Sequence, residues 1–450
     1  MFRMDIERNT AMTRSFTRRD ALKLGASAAA FAATANIFTP SKARAARKEK
    51  LVYWHLPNFT PLADELQKQQ VYEFAKQAGL KDDEVQFTVV SNEDFTAKIA
   101  AALETGNPPD VARFYESFIQ LYRSQGHLMD TTEIVKGMQA EPGGLFASSL
   151  AAVRYKGRYW GVPLAVNPWP MHARIDLLEQ AKLDYPKTWD EFVETCKKIQ
   201  RPPFYGFGMC LGAQADGTDN IMQICFGFGG KTVDEEERVV FNSPGNAAGF
   251  RFIADMYNKH KIIPKGAVSW DNSGNNKAYQ SKQVAFVNNP SSIYAYLAGS
   301  DPDLQKRTGL FGVPAGPAGT VNLIDTWSYG IFAKAPHPEL VTGLVKFLMQ
   351  PANYNKIVTA TNGRWVPVYP KLFDDPWWTA RKEFEKFREI AHTGVPISHA
   401  GPPSAASGEV LSTNVIPIGM QKVLVDGVEP EQAVADLHKQ IEEIYKRRQG

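Results

Sequence analysis

Cysteine is scarce in this chain. Cys196, Cys210 and Cys225 are the only three in 450 residues, and they lie in separate elements without metal-ligand spacing. The eight histidines are scattered and none stands in a His-Glu-x-x-His run. Asp216-Gly217-Thr218-Asp219-Asn220 is too short for a calcium loop. No metal site is therefore expected. A Gly-x-x-x-x-Gly-Lys phosphate loop is absent, and the glycines from Gly206 to Gly230 lack the spacing of a dinucleotide fingerprint, so no cofactor is expected either. A nucleophile elbow, a cysteine–histidine pairing signal and a solenoid-period repeat are also missing. These absences point away from an enzyme, although two carboxylates brought together by folding, as in a glycosidase, leave no sequence signature.

The N-terminus is where the basic charge sits. Arg18-Arg19 precede an alanine-rich apolar run from Leu24 to Phe38, and Ala43-Arg44-Ala45 supplies small residues at a cleavage point. Residues 1–45 thus resemble a twin-arginine export signal, with Ala21 where an aromatic is commoner. A membrane anchor is the competing reading. The run is short and carries Thr34 and Asn36, whereas a spanning helix needs about 20 apolar residues. Residues 1–45 hold eight of the 51 basic side chains and three of the 48 acidic ones, so the remainder carries −2 instead of +3. With no concentrated basic face, nucleic acid is not an expected partner. Export would permit a Cys210–Cys225 bridge. The odd count, with Cys196 on the apolar face of a predicted helix, favours buried free thiols.

Hydrophobic content of 44% and charged content of 22% describe an ordinary globular chain, and 450 residues imply two or three units. Apolar runs at Leu51–Trp54, Val85–Val90 and Val111–Phe114 predict strands. Between them, helical patterns run from Pro61 to Gly79 and through Phe95, Ile99 and Leu103. This alternation predicts a parallel sheet whose strand ends face a ligand crevice. His55, Asn92, Arg113, Tyr115 and Glu116 fall at that edge. The best-marked helix follows Thr188, where Glu191 completes a capping box and Trp189, Phe192, Val193, Cys196 and Ile199 recur at helical spacing. Before it, Val162–Val166 reads as a strand that Pro163, Pro168 and Pro170 turn into a crossover between lobes. Further helices are expected around Ala247 to Asn258 and at Leu340–Met349, with a loop from Ser269 to Asn276.

Several stretches together carry a family resemblance. Gly106-Asn107-Pro108-Pro109-Asp110-Val111, Gly161-Val162-Pro163-Leu164-Ala165-Val166, Asp176-Leu177-Leu178 and Pro186-Lys187-Thr188-Trp189-Asp190-Glu191-Phe192 resemble periplasmic solute-binding proteins of bacterial ABC importers, the sugar-type, maltodextrin-binding-like group. Trp327 to Phe332, Asn362-Gly363, Val366-Pro367-Val368 and the terminal helix Pro430 to Tyr445 extend the likeness over nearly all of the chain after the signal. The resemblance implies a type II fold of two α/β lobes, each a mainly parallel sheet flanked by helices. It divides the chain into lobe 1 (46–164), lobe 2 (165–324), a return to lobe 1 (325–370) and C-terminal helices mainly on lobe 2 (371–450). It also implies a periplasmic monomer that captures a small solute, a sugar or polyol, and delivers it to permease subunits in the inner membrane.

A sugar offers apolar ring faces and a rim of hydroxyls, so its site calls for flat aromatics and paired hydrogen-bonding groups. Trp160, Trp169, Trp270, Trp327 and Trp365 are candidates for stacking, of which Trp169, Trp270 and Trp327 are placed in the site, with Asn167, Asn288 and Asn289 as amide partners. Arg364 is the candidate for an anionic substituent, which keeps an anionic solute such as a phosphorylated polyol open. Two departures from the family pattern, Ala173-Arg174-Ile175 and Asn288-Asn289-Pro290-Ser291, imply a different ligand shape.

Overall fold

The computed structural model describes residues 49–58, 60–115 and 118–449. The export signal predicted over residues 1–45 lies outside them. Eleven strands are present among the described residues: β1 (Leu51–His55), β2 (Val85–Val89), β3 (Val111–Tyr115), β4 (Arg154–Tyr155), β5 (Arg158–Tyr159), β6 (Val162–Pro168), β7 (Met171–Arg174), β8 (Tyr205–Phe207), β9 (Val284–Asn288), β10 (Thr308–Phe311) and β11 (Ile324–Ile331). They form a five-stranded sheet in the order β2-β1-β3-β11-β6, a four-stranded sheet in the order β10-β7-β9-β8, and a two-stranded β4-β5 ribbon.

The predicted strand–helix series is present. Helices Pro61–Gln77 and Asn92–Glu104 connect β1, β2 and β3, and β1 runs parallel to both neighbours. Beyond β3 the pairing changes. β11 is antiparallel to β3 and to β6, and in the second sheet only β8–β9 is parallel, so both sheets are more mixed than expected. The reason is connectivity: β7 and β11 each follow a crossing between sheets, not a helix returning over the same sheet.

Helix Trp189–Ile199 forms for the reasons its sequence suggested. Thr188 Oγ1 accepts from the Glu191 amide at 3.2 Å, while the Glu191 carboxylate accepts from Lys187 N at 2.8 Å, one residue short of the full capping box. Trp189, Phe192, Val193 and Cys196 are buried against the second sheet, and Phe192 meets the rings of Phe207 and Phe286 at 5.0 Å each. Such burial is worth ~2–3 kcal/mol per large side chain. Helix and strand approach so closely that a Cβ at Gly206 would stand 2.4 Å from Cys196 Cβ. Cys196, Cys210 and Cys225 are all buried free thiols.

Two large cores follow the two sheets. One gathers β7, β8 and β9 with helices Ala215–Gly227, Pro244–Ala254, Val415–Leu424 and Pro430–Gln449. The other gathers the five-stranded sheet with helices Pro338–Met349 and Pro351–Ala360. Phe373, Trp378, Phe384, Phe387 and Ile390 belong to the core of the first sheet. Helix Glu385–Thr393 and the residues just before it thus pack with the five-stranded sheet. Part of the expected loop at Ser269–Asn276 is helical, since helix Gly274–Gln280 begins within it.

Three crossings lie side by side. Trp169 N donates to Leu323 O at 3.0 Å, Ile324 N to Val395 O at 2.9 Å, and Val395 N to Asn322 O at 2.9 Å. Backbone bonding thus gathers the three connections into one seam, on which the two lobes meet.

Candidate functional site

A continuous chain of polar and aromatic contacts lines the face between the lobes beside this seam. Strand register places its first members. Asp325 pairs across from Asn167, and Trp327 pairs across from Tyr115. Side chains two apart on a strand share a face, so Asp325 and Trp327 of β11, and Arg113 and Tyr115 of β3, point the same way. The Asp325 Oδ2 atom accepts from Trp169 Nε1 at 2.8 Å and from Asn167 Nδ2 at 3.1 Å. Trp327 packs edge-to-face on Tyr115 at 5.4 Å and on Trp365 at 5.3 Å. The Arg113 guanidinium lies over both indoles, 4.9 Å from Trp365 and 5.4 Å from Trp327. It donates to Asn58 Oδ1 at 2.6 Å and to the carbonyls of Leu56 and Pro57.

The second lobe closes the circuit. Tyr115 donates from its hydroxyl to Asp219 Oδ2 at 3.0 Å, reaching across to helix Ala215–Gly227. Asp216 and Asp219 are three apart on that helix and share a face. On the same helix Asn220 donates to Asn288 O at 3.4 Å, and Asn288 Nδ2 donates to Trp169 O at 2.9 Å, which returns to Asp325. Ser291 Oγ donates to Arg364 O at 2.6 Å, tying β9's exit to the loop that carries Arg364 and Trp365. That loop turns at Gly363, whose φ of +79° suits glycine.

Charge and burial are in tension at this surface. Burial pushes the Asp216 carboxyl up to about 8, reinforced by the Asp325 charge, although part of Asp216 reaches solvent. Asp325 is pushed up to about 7 by burial, against the lowering effect of Trp169, Asn167 and Arg364. Arg364 is held down at about 9 by burial and by Arg113, with Asp325 and Asp216 opposing. Buried atoms in this region with no hydrogen-bond partner among the described residues include Asn58 Nδ2, Arg113 Nε, Asn167 Oδ1, Thr218 Oγ1, Asn220 Oδ1, Asn288 Oδ1 and Asp325 Oδ1. Leaving such groups unpaired costs about 1–3 kcal/mol each, so their concentration marks a surface made to meet something else. Elsewhere, Thr60, Leu62, Tyr296, Lys356, Asn362 and Trp377 line a groove of about 730 Å³ that none of these site residues borders.

The sequence-predicted residues divide into several groups. Arg113, Tyr115, Asn167, Trp169, Asn288, Trp327 and Arg364 come together here. His55 instead is locked to Asp64 at 2.8 Å and packed against Phe87, and burial holds its imidazole below the usual range. Asn289 is occupied in a turn, accepting from Asn275 at 3.0 Å and donating to Ser292 at 2.9 Å. Trp270 packs against the second lobe's cores. Asn92 opens helix Asn92–Glu104, and the described residues do not include its side chain; Glu116 lies outside them altogether. Sequence reasoning passed over Asp216, Asp219 and Asp325. Asp216 and Asp219 were weighed only as a calcium loop, where their three-residue spacing on a helix was the usable signal. Asp325 carried one too, as the lone charged residue of its strand.

Comparison with known proteins adds a third line. Residues 69–386 match the family model described as bacterial extracellular solute-binding protein. A Pyrococcus horikoshii protein named an uncharacterized ABC transporter extracellular-binding protein is 27% identical over 121 residues, a match spanning 26% of this chain and 28% of that protein. Among solved structures, maltose-bound MalE3 of T. maritima is similar at a TM-score of 0.75 and 23% identity, covering 88% of this chain and 99% of that one. A Thermotoga lettingae ABC transporter solute-binding protein bound to α-D-tagatose gives a TM-score of 0.77 at 19% identity, with coverage of 88% and 99%. At such identities these likenesses show the fold, the two-lobed binding-protein architecture.

Proposed function

Because this chain belongs to the bacterial extracellular solute-binding proteins, we propose that it is the solute-capturing component of an ABC importer and takes a carbohydrate or polyol. The single observation that carries the proposal is the set of buried, unpartnered polar atoms between the lobes, interleaved with Trp169, Trp327 and Tyr115. Hydroxyls satisfy such atoms and sugar faces pack on such rings. Asn167, Asn288, Asp216, Asp325 and Arg364 are the polar contacts in this reading, and Trp327 and Tyr115 the aromatic ones.

Function then follows from differential affinity. A solute touching both walls stabilises the closed arrangement alone, and a hinge at the three-stranded seam permits opening. The membrane partner is a permease pair that senses closure. The protein works as a periplasmic monomer exported by the twin-arginine-type segment, and it binds without turnover. A thermal-shift screen against sugars and polyols tests this, since ligand at 100 times Kd stabilises by about 2.7 kcal/mol. No shift with any carbohydrate or polyol refutes the ligand class.

A further inference from the structure

The atoms left without partners are not a random mixture. Asn167 Oδ1, Asn220 Oδ1, Asn288 Oδ1 and Asp325 Oδ1 are acceptors, and they lie at the hinge and on the second lobe, where the Thr218 hydroxyl is also unpartnered. The donors Asn58 Nδ2 and Arg113 Nε belong to the first lobe. All of these parent residues are at least nine-tenths buried. A ligand fitting this surface must present donors on one side and acceptors on the other.

Formal charge points the same way. Asp64, Asp216 and Asp325 face Arg113 and Arg364, one carboxylate in excess. The two terminal nitrogens of Arg113 are spent on its own lobe's carbonyls and on Asn58, and its plane on two indole faces, which leaves Nε alone for a ligand. Arg364 lies 4.7 Å over Trp365 and within the field of both Asp325 and Asp216. An anionic substituent would therefore meet carboxylates whose attraction for Arg364 it must replace. A cation would meet Asp325 Oδ1, which lacks a partner, and Asp216, which is partly accessible.

We propose that the ligand carries a primary ammonium group, as in an amino sugar or amino polyol, seated between Asp216 and Asp325 with its hydroxyls toward Asn58 and Arg113. This rests on the carbohydrate reading above. An ammonium brings three donors and no acceptor, which answers the surplus of acceptors at the hinge and second-lobe side. Burial raises both carboxyls, with Asp325 and Asp271 adding to it at Asp216 and Arg364 offsetting it, so the site holds a proton near neutrality. The ligand's ammonium takes that proton's place, so binding releases protons to the buffer.

The test is isothermal titration of the purified full chain at pH 7 with matched probes. These are glucose, glucosamine, N-acetylglucosamine and glucuronate, the corresponding galactose set, and glucitol with 1-amino-1-deoxyglucitol. The expected result is an amine at least tenfold tighter than its hydroxyl and N-acetyl counterparts, with proton release seen as a dependence of heat on buffer. In Asp216→Asn the ratio of amine to hydroxyl affinity falls toward one, and a retained thermal transition shows that this variant folds. A neutral probe binding as tightly as its amine, or an acid binding best, overturns the ammonium inference and leaves the carbohydrate reading standing. Binding by none of the probes, amines included, overturns both.

Discussion

Asp325→Asn is expected to make this protein more stable at pH 8 while weakening its ligand binding. The amide oxygen of asparagine can still accept from Trp169 and Asn167, the two donors that now meet Asp325 Oδ2. What disappears is the cost of holding a charge in a buried site. Between the ordinary carboxyl value of 3.8 and the folded value of about 7, the native state keeps a proton that the unfolded state has lost. Native stability therefore falls as pH rises through that window. At about 1.4 kcal/mol per pH unit, the interval from 3.8 to about 7 corresponds to at most ~4 kcal/mol, a value that already contains the attraction of Arg364. Structural relaxation and water penetration lower it to ~2 kcal/mol. Urea unfolding of both proteins from pH 4.5 to 8.5 measures the effect. The variant's advantage should be smallest at the acid end, grow up to about pH 7, and then level off. A difference constant with pH, or one favouring the parent at pH 8, would refute the claim that Asp325 is a carboxylate ionised against its environment.

Three further outcomes follow from single contacts. Tyr115→Phe removes the hydroxyl that reaches Asp219 across the lobes at 3.0 Å; ligand affinity should drop about three- to tenfold, as for a charge-assisted hydrogen bond of ~1.5 kcal/mol partly recovered by water, and unchanged affinity by titration would mean that the pair does not bridge the lobes in the bound state. Gly363→Ala forces a side chain onto a φ of +79° and places its Cβ 2.3 Å from the Phe384 ring, so melting temperature and affinity should both fall, by an amount equivalent to ~2 kcal/mol or more; calorimetry showing parental behaviour would contradict the loop geometry. With Cys196, Cys210 and Cys225 all free and buried, a thiol reagent should find none in the native protein and three after denaturation, whereas a single reactive thiol after denaturation would reveal a Cys210–Cys225 bridge.

Much of the architecture was legible because it rests on local and periodic rules. The Thr188 cap, the helical recurrence of Trp189, Phe192, Val193 and Cys196, and the alternation of β1, β2 and β3 with helices all depend on neighbours a few residues apart. The crossover at Pro168 and Pro170 was legible as well, because proline cannot donate to a sheet ladder. The seam it joins was not, since it depends on Leu323, Asn322 and Val395 arriving from more than 150 residues away.

The site shows the same division more sharply. Sequence chemistry picked out Arg113, Tyr115, Asn167, Trp169, Asn288, Trp327 and Arg364 as residue types suited to a polar, aromatic cleft. It had no means of separating them from His55 and Asn289, whose partners Asp64, Asn275 and Ser292 satisfy them within their own lobe. By itself the sequence determined the elements, the apolar faces and the chemical repertoire, because these follow from composition and spacing. Only the tertiary structure decided which polar groups lack partners and which carboxylates crowd one another, because satisfaction and repulsion are properties of distances between segments remote in the chain.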